Sequence, residues 1–376
     1  MILPQATLGV LGGGQLGRMF TVAARTMGYR VIVLDPDPAS PAAEFANEHI
    51  CAPFDDRAAL EKMGRACAAI TTEFENVPAD SMEFLAQLCP VRPSAKVVAI
   101  AQNRIREKTF LRDNGFETAL FAEINNKAEI EAALKKIGTP ALLKISQFGY
   151  DGKGQATVNN LAEAISAFEQ MGSKPCVLEQ RLNLHTELSV VVARSVKGET
   201  VAYPAAENTH VGGILDISVV PAQVNEKLAL QATKDARAVA DKLEYCGVMA
   251  VEFFVVENAR LLINEIAPRP HNSGHYTMDA CLTSQFDQQV RAMCGLPLGE
   301  ARLLAPVVMV NILGDAWRAA VPPPWDAVLN EPRAKLQLYG KKEARTGRKM
   351  GHFTCIGDNV QEATKLAREI QQKLQG

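Results

Sequence analysis

The pattern of apolar and polar positions changes character along the chain. Over the first hundred residues, short apolar runs alternate with helical stretches. TLGVLG predicts a strand, and the glycine turn Gly12–Gly17 opens a helix running to about Met27. RVIVLD predicts a second strand, and CAAITTEFENV contains a third that ends at Thr71–Glu73. Apolar strands separated by helices imply a parallel sheet with crossover helices.

A different unit is expected from Asn103 onward. NRIREKTFLRDNG reads as a compact amphipathic helix closed by Gly115. PALLKIS and CVLEQRL predict strands on either side of a glycine-bearing loop. ELSVVVARS and ETVAYP predict a hairpin across Lys197–Gly198, and MAVEFFVV and RLLINEI a second over Asn258–Ala259. Between the two hairpins, VNEKLALQATKDARAVADKLE has helical periodicity. After PLGEARLLAP the chain is proline-rich at Val321–Pro324, then offers LQLYG and GHFTCIG as strands and a polar last helix. The changes of pattern divide the chain at 1–102, 103–300 and 301–376, and no internal repeat interrupts them.

Composition narrows the class of function. The chain's 376 residues exceed what one hydrophobic core organises, and 47% hydrophobic with 22% charged residues is an ordinary globular balance. A formal charge of -2 creates no field that draws nucleic acid or a membrane surface, so any phosphate must be held by local groups. MILPQATLGVLGGG reads as strand and turn, not as a signal peptide, and no apolar run approaches membrane-spanning length. The eight cysteines are scattered without a C-x-x-C pair, which suits free thiols in the cytoplasm.

The most informative chemistry is an acidic pair. A two-residue turn at Asn258–Ala259 would place Glu252 directly across from Glu265, on one face and among Val251, Phe253, Ile263 and Ile266. Two carboxylates about 5 Å apart at an effective dielectric near 20 repel by roughly 3 kcal/mol. One must take a proton, or a cation must lie between them. Oxygen-only ligands favour Mg²⁺ carried with a nucleotide over zinc; a salt bridge to an arginine such as Arg269 is the plainer alternative.

Two glycine loops compete for phosphate. Gly12-x-Gly14-x-x-Gly17, with Asp35 at the end of the next strand, is a formal dinucleotide fingerprint, and equally a structural tight turn. Phe148-Gly149-Tyr150-Asp151-Gly152-Lys153-Gly154-Gln155 lies between two strands and lacks the Ser or Thr of a Walker loop. With Lys144 just upstream, it suits a lid over phosphates.

In their order, these pieces resemble the ATP-grasp superfamily. GGGQLGRM, FGYDGKGQ, EQRLNLHTELSVV, NEIAPRPHNSGHYT and GRKMGH are each similar to a motif of N5-carboxyaminoimidazole ribonucleotide synthetases, from Leu8 to about Phe353. The resemblance implies an ATP-grasp fold of mixed α/β and α+β type, with a Rossmann-like pre-ATP-grasp domain before it and a small β-rich domain after it. It places Arg104, Lys144, the lid residues Gly149, Tyr150, Asp151, Gly152, Lys153, Gly154 and Gln155, and Asn264 and Glu265 around ATP. It makes Glu179, Gln180, Arg181 and Leu182 the adenine-reading hinge, with Glu187 on the ribose and His210 near the nucleotide. Glu252 and Glu265 would hold Mg²⁺, although Ala267 stands where many superfamily members carry an Asn.

The same resemblance puts Gly14, Gln15, Leu16, Glu73, Arg269, Asn272, Ser273 and His275 around 5-aminoimidazole ribonucleotide. Lys342, Arg345, Arg348 and Lys349 could supply the cations for its phosphate. The implied chemistry is phosphorylation of bicarbonate to carboxyphosphate, with Lys153 and Arg269 assisting and Tyr150 or Asp151 orienting bicarbonate or taking the amine proton. A homodimer is implied. His271-x-x-x-His275 has zinc-like spacing but no third ligand. The rivals are a formate-using glycinamide ribonucleotide formyltransferase, disfavoured by Gln15 and by Gly149-Tyr150-Asp151, a nicotinamide-dependent dehydrogenase, and a non-catalytic nucleotide-binding regulator.

Overall fold

The computed structural model describes residues 1–147, 154–318 and 321–375, apart from the side chain of Asn258. Among the described residues the strands form three sheets. The first contains β1 (Thr7–Leu11), β2 (Arg30–Leu34), β3 (Glu48–Ile50) and β4 (Ala69–Thr72), in the order β3-β2-β1-β4 and parallel throughout. The helix Gln15–Thr26 repeats apolar residues at helical spacing, Leu16, Met19, Phe20, Ala23 and Ala24. It buries that stripe on Leu8, Val10, Val31 and Val33, and against Phe286, Val290 and Met293 of the helix Gln285–Cys294. The first sheet is thereby joined to the rest of the molecule through apolar packing.

The second sheet is antiparallel: β5 (Phe121–Ile124), β6 (Ala141–Ile145), β7 (Gln155–Val158) and β8 (Cys176–Gln180), ordered β5-β8-β6-β7. The helices Ile130–Ile137 and Leu161–Gln170 share its apolar core.

The third sheet holds β9 (Leu184–Arg194), β10 (Thr200–Ala202), β11 (Ala206–Val211), β12 (Ile214–Val220), β13 (Gly247–Val256), β14 (Arg260–Ala267), β15 (Val307–Leu313), β16 (Ala334–Leu338) and β17 (Lys349–Ile356). Its order is β14-β13-β9-β11-β12-β15-β17-β16, with β10 beside β9. The C-terminal segment is β-rich as expected, but its strands do not close a sheet of their own. β15 pairs antiparallel with β12, so the sheet runs without a break past residue 300. The reason is the edge of β12, whose backbone groups would otherwise be unpaired and whose apolar residues continue those of VVMVNIL. The last helix, Val360–Gln375, covers this end with Ala363, Ala367, Ile370 and Leu374.

The helix Arg104–Asp113 touches a strand of each antiparallel sheet, β8 and β14. Asn103 caps it by accepting from the amides of Ile105 and Arg106. The expected amphipathic helix is present, yet part of its inward face is charged: Glu107 and Lys108 are only 2% exposed. Charged residues are seldom so deep unless paired. Arg104, Glu107 and Lys108 follow the i, i+3, i+4 spacing of one helical face, and all three have partners on neighbouring strands. Arg104 Nη1 donates to Glu265 Oε2 at 2.9 Å, Glu107 Oε1 accepts from the Ile266 amide, and Lys108 Nζ lies 3.4 Å from Glu179 Oε1.

Burial, reinforced by the Glu265 carboxylate, pushes the Glu107 carboxyl from an ordinary 4.5 up to about 8. Between those values the unfolded chain has lost a proton that the folded chain keeps, so this group's contribution to stability falls as pH rises. Glu107→Gln retains an oxygen for the Ile266 amide and does not titrate. The variant should gain stability over the parent between pH 5 and 8, by at most about 1.4 kcal/mol per pH unit. Urea unfolding of both proteins at the two pH values measures the gap, and a gap that does not change with pH would contradict the assignment.

Candidate active site

The second and third sheets, with Glu75 and Asn76 after β4, line a cavity of about 360 Å³. Its acidic wall is the Glu252–Glu265 pair, whose residues face each other directly across β13 and β14. The pairing matches expectation, but the route to it differs. The strands are joined through Glu257–Ala259, so Val256 pairs with Arg260, one residue out of the register that a two-residue turn would give. A bulge at Asn264 inserts one residue between Ile263 and Glu265 and restores the opposition. Asn264 also lines the cavity.

Each carboxylate is met by a cation or a proton donor. Glu265 takes Arg104, and Glu252 Oε1 lies 2.9 Å from His271 Nε2. Arg269, the partner considered from sequence, bonds Glu75 instead, with Nε donating to Oε2 at 2.5 Å. A hydrogen-bond chain sets the His271 tautomer. Asn208 Nδ2 donates to Ser189 Oγ at 2.9 Å, and Ser189 Oγ donates to Ser273 Oγ at 2.7 Å. Ser273 then has its own proton for His271 Nδ1, 2.8 Å away, which leaves Nε2–H facing Glu252. Burial alone would raise the Glu252 carboxyl. The facing His271, with His210 and Lys349, holds it well below the usual carboxylate range.

The opposite wall comes from the second sheet. Lys144 on β6 points at Glu179 on β8, and Nζ donates to Oε2 at 2.9 Å. Lys144 lines the cavity, and Glu179 sits behind it. Gln155, paired with Lys144 across β6 and β7, lines the cavity as well. On the third sheet Glu187 and His210 stand together in the same cavity, His210 Nδ1 lying 3.0 Å from Glu187 Oε2. Burial pulls the His210 imidazole down, but Glu187 outweighs it, and the net displacement is upward. Gln180 and Arg181 are exposed at the end of β8 with Leu182 half-buried beyond them, and none of the three lines this cavity. Gly154 has φ +73° and its carbonyl accepts from the Ile145 amide. Gly149, Tyr150, Asp151, Gly152 and Lys153 lie outside the described residues.

The N-terminal glycine turn is occupied by the protein's own acids. The Gly14 amide donates to Glu73 Oε1 at 2.6 Å and the Gly17 amide to Oε2 at 2.9 Å, while the Gly13 amide donates to Asp35 Oδ2 at 2.6 Å. Those donors are the ones a dinucleotide pyrophosphate would need, and Asp35 is the acid its ribose would need. The dehydrogenase reading therefore loses both its anion site and its acid. Leu16 is buried in the core of the first domain.

Gln15 Oε1 accepts from Lys341, whose Nζ also donates to the Lys349 carbonyl at 2.7 Å. Lys349 lines the cavity together with Arg269 and Asn272. Lys342 and Arg345 are exposed, with Arg345 Nε on Glu343 Oε2 at 2.9 Å, and Arg348 donates to the Glu343 carbonyl at 3.0 Å. These three basic residues do not line the cavity, and neither do Gly14, Gln15, Leu16, Glu73, Ser273 and His275. Ser273 instead orients His271. His275 is fully buried with Nδ1 3.0 Å from Gln285 Nε2, and burial pushes its imidazole well down. Among the described residues no cluster of three His, Cys, Asp or Glu could hold a metal, which leaves the zinc spacing without a site.

Sequence reading missed four charged residues of this region: Glu75, Glu107, Lys108 and Lys341. Glu75 repeats the alternation of Glu73, and Glu107 and Lys108 share a helical face with Arg104; both signals were present at the right spacing. Lys341 adjoins Lys342 and carries no separate signal.

Family models match three stretches: an ATP-grasp domain over residues 109–286, a ribonucleotide synthetase preATP-grasp domain over 5–102, and a phosphoribosylaminoimidazole carboxylase C-terminal domain over 307–366. An N5-carboxyaminoimidazole ribonucleotide synthase of Bacillus subtilis is 44% identical over 356 residues, covering 95% of this chain and 93% of that one. The structure of an ADP complex of N5-carboxyaminoimidazole ribonucleotide synthetase superposes with a TM-score of 0.92 at 41% identity, covering 99% of this chain and 97% of the other. The Aspergillus clavatus enzyme in complex with ADP and 5-aminoimidazole ribonucleotide gives a TM-score of 0.91 at 32% identity over 98% of each chain. With these three family models matched and 44% identity to a relative over 95% of its own length, the chain belongs to the N5-carboxyaminoimidazole ribonucleotide synthase family of ATP-grasp enzymes.

Proposed function

We propose that this enzyme uses ATP to carboxylate 5-aminoimidazole ribonucleotide with bicarbonate, releasing ADP, phosphate and N5-carboxyaminoimidazole ribonucleotide for purine synthesis. The observation that carries this reading is the convergence of Glu252, Glu265, Lys144 and Arg104 on one cavity. Phosphoryl transfer needs little from a protein beyond alignment and neutralisation of charge, and these residues supply both. Family membership at 44% identity narrows the acceptor to the aminoimidazole ribonucleotide over glycinamide ribonucleotide.

Glu252 and Glu265 fit Mg²⁺. Hard oxygen donors on adjacent strands suit an ion that takes one or two carboxylates and completes its shell with phosphate and water oxygens. Bound there, Mg²⁺ would neutralise charge on the transferring phosphoryl group. Lys144 and Arg104 are positioned for the nucleotide phosphates, with Glu187 and His210 towards the ribose. Lys153, outside the described residues, is the proposed second lysine for the phosphates, and Gln155 on β7 lines the same cavity.

A bicarbonate oxygen attacks the γ-phosphorus and ADP leaves, giving carboxyphosphate. This mixed anhydride breaks to CO₂ and phosphate beside the exocyclic amine, whose nitrogen attacks the carbon and gives up a proton. Asp151 is the proposed acceptor of that proton, with Tyr150 orienting bicarbonate. Arg269, held by Glu75 of the first domain, lines the same cavity as the acidic pair and stabilises the anionic intermediate. Gln15, Glu73, Asn272 and Lys349 outline the ribonucleotide side, with Lys342, Arg345 and Arg348 near its phosphate. The reading includes three domains at 1–102, 103–300 and 301–376, a homodimer and a cytoplasmic location. All eight thiols are free, and among the described residues no helix is long and apolar enough to cross a membrane.

Glu252→Gln and Glu265→Gln should each lower kcat by about tenfold to a hundredfold and raise the Mg²⁺ concentration needed for half-maximal rate. A Mg²⁺ titration of steady-state rate checks this, and an unchanged Mg²⁺ requirement would place the metal elsewhere. ADP release from Mg-ATP and aminoimidazole ribonucleotide should require bicarbonate in CO₂-depleted buffer and ignore formate. A response to formate with glycinamide ribonucleotide would leave the fold standing and overturn the substrate assignment.

A further inference from the structure

Glu179 is 2% exposed, and it carries more positive company than it needs. Lys144 Nζ holds its Oε2 at 2.9 Å, and Lys108 Nζ stands 3.4 Å from its Oε1. Oε1 has no hydrogen-bond donor among the described residues. The two lysines differ in access. Lys144 lines the cavity, whereas Lys108 is 2% exposed on the helix Arg104–Asp113 and does not line it. A buried carboxylate left without a counter-charge is strongly destabilising. With one lysine, drawing it toward a nucleotide phosphate would strand Glu179; with two, the inner lysine keeps the carboxylate neutralised while the outer one moves.

We infer that Lys108 is a positioning residue for the nucleotide: by holding Glu179, it frees Lys144 to engage the phosphates. The inference rests on the ATP reading of the cavity and adds a role for a side chain that need not touch the nucleotide. Its signature is selectivity for phosphate. If Lys108 is removed, Lys144 becomes the lysine left to hold Glu179, with Arg104 adding a weaker pull, and is held back from a diphosphate, while adenosine, which lacks phosphate, is unaffected.

The experiment measures equilibrium binding of ADP and of adenosine to the full-length parent, Lys108→Met and the double variant Lys108→Met/Glu179→Gln. In Lys108→Met the ratio of ADP to adenosine affinity should fall about tenfold. In the double variant no buried carboxylate detains Lys144, and the ratio should return to within about threefold of the parent. A lysine that served only to stabilise the fold would leave the ratio unchanged in both, whatever the loss of thermal stability. An unchanged ratio in Lys108→Met, or one that stays low in the double variant, overturns the inference. If Lys108→Met does not fold, Lys108→Gln takes its place: a fall in the ratio that the added Glu179→Gln reverses supports the inference, and an unchanged ratio refutes it. A parent that binds no ADP would instead refute the ATP reading of the cavity.

Discussion

Two carboxylates held opposite one another on adjacent strands set the terms for everything around them. The bulge at Asn264 forces Glu252 and Glu265 into opposition, and a partly buried acidic pair persists only if positive charge or proton donors answer it. Arg104 answers one and His271 the other. The helix that brings Arg104 must then present a polar face inward, so Glu107 and Lys108 are buried beside it and need partners of their own. They find them on β14 and β8. The acidic pair thus accounts for a charged helix face and for a tie between two sheets that apolar packing alone would not explain.

The same principle decides what the N-terminal domain can bind. A helix N-terminus after a glycine turn attracts anions, and in many βαβ units the anion is a ligand phosphate. Here Glu73 supplies the anion from the end of β4, accepting from the amides of Gly14 and Gly17. Burial and the nearby Asp35 raise its carboxyl, while the two amide donors and Arg269 pull the other way. The glycine turn of the first domain is therefore closed by an internal carboxylate, where a dinucleotide-binding domain would present bare amides.

Much of this was legible in the sequence, and the rest was not for definite reasons. The apolar runs of β1, β2 and β6 and the helical periodicity at 226–242 are local signals, and local chemistry produced them. The Glu252–Glu265 opposition was legible too, although it arises from two offsets that cancel, a longer turn and a bulge, neither visible in RLLINEI. Strand neighbours were not legible: β15 joins β12 across nearly ninety residues because of edge pairing, which leaves no periodic trace. The roles of Ser273 and His275 were displaced for a related reason. They sit beside the residues that line the cavity, and only tertiary packing shows that Ser273 turns toward Ser189 and His275 toward Gln285.

The ion pairs of the cavity also explain how so charged a site can exchange partners without isolating a charge. Arg104 and His271 occupy the oxygens that a divalent cation would take, and Glu179 occupies the ammonium that a phosphate would take. On the proposed reading, entry of Mg-ATP would exchange one set of pairs for another: the cation would replace Arg104 on Glu265 and His271 on Glu252, and Arg104 and Lys144 would turn to the phosphates while Lys108 stays with Glu179. Coulombic attraction between buried partners roughly offsets the desolvation each ion suffers, so an exchange that keeps every charge paired avoids the large penalty of leaving one alone. Selectivity follows from the same balance. A ligand bringing phosphate without cation, or cation without phosphate, would satisfy one side of the cavity and strand the other, so the arrangement favours the two arriving together.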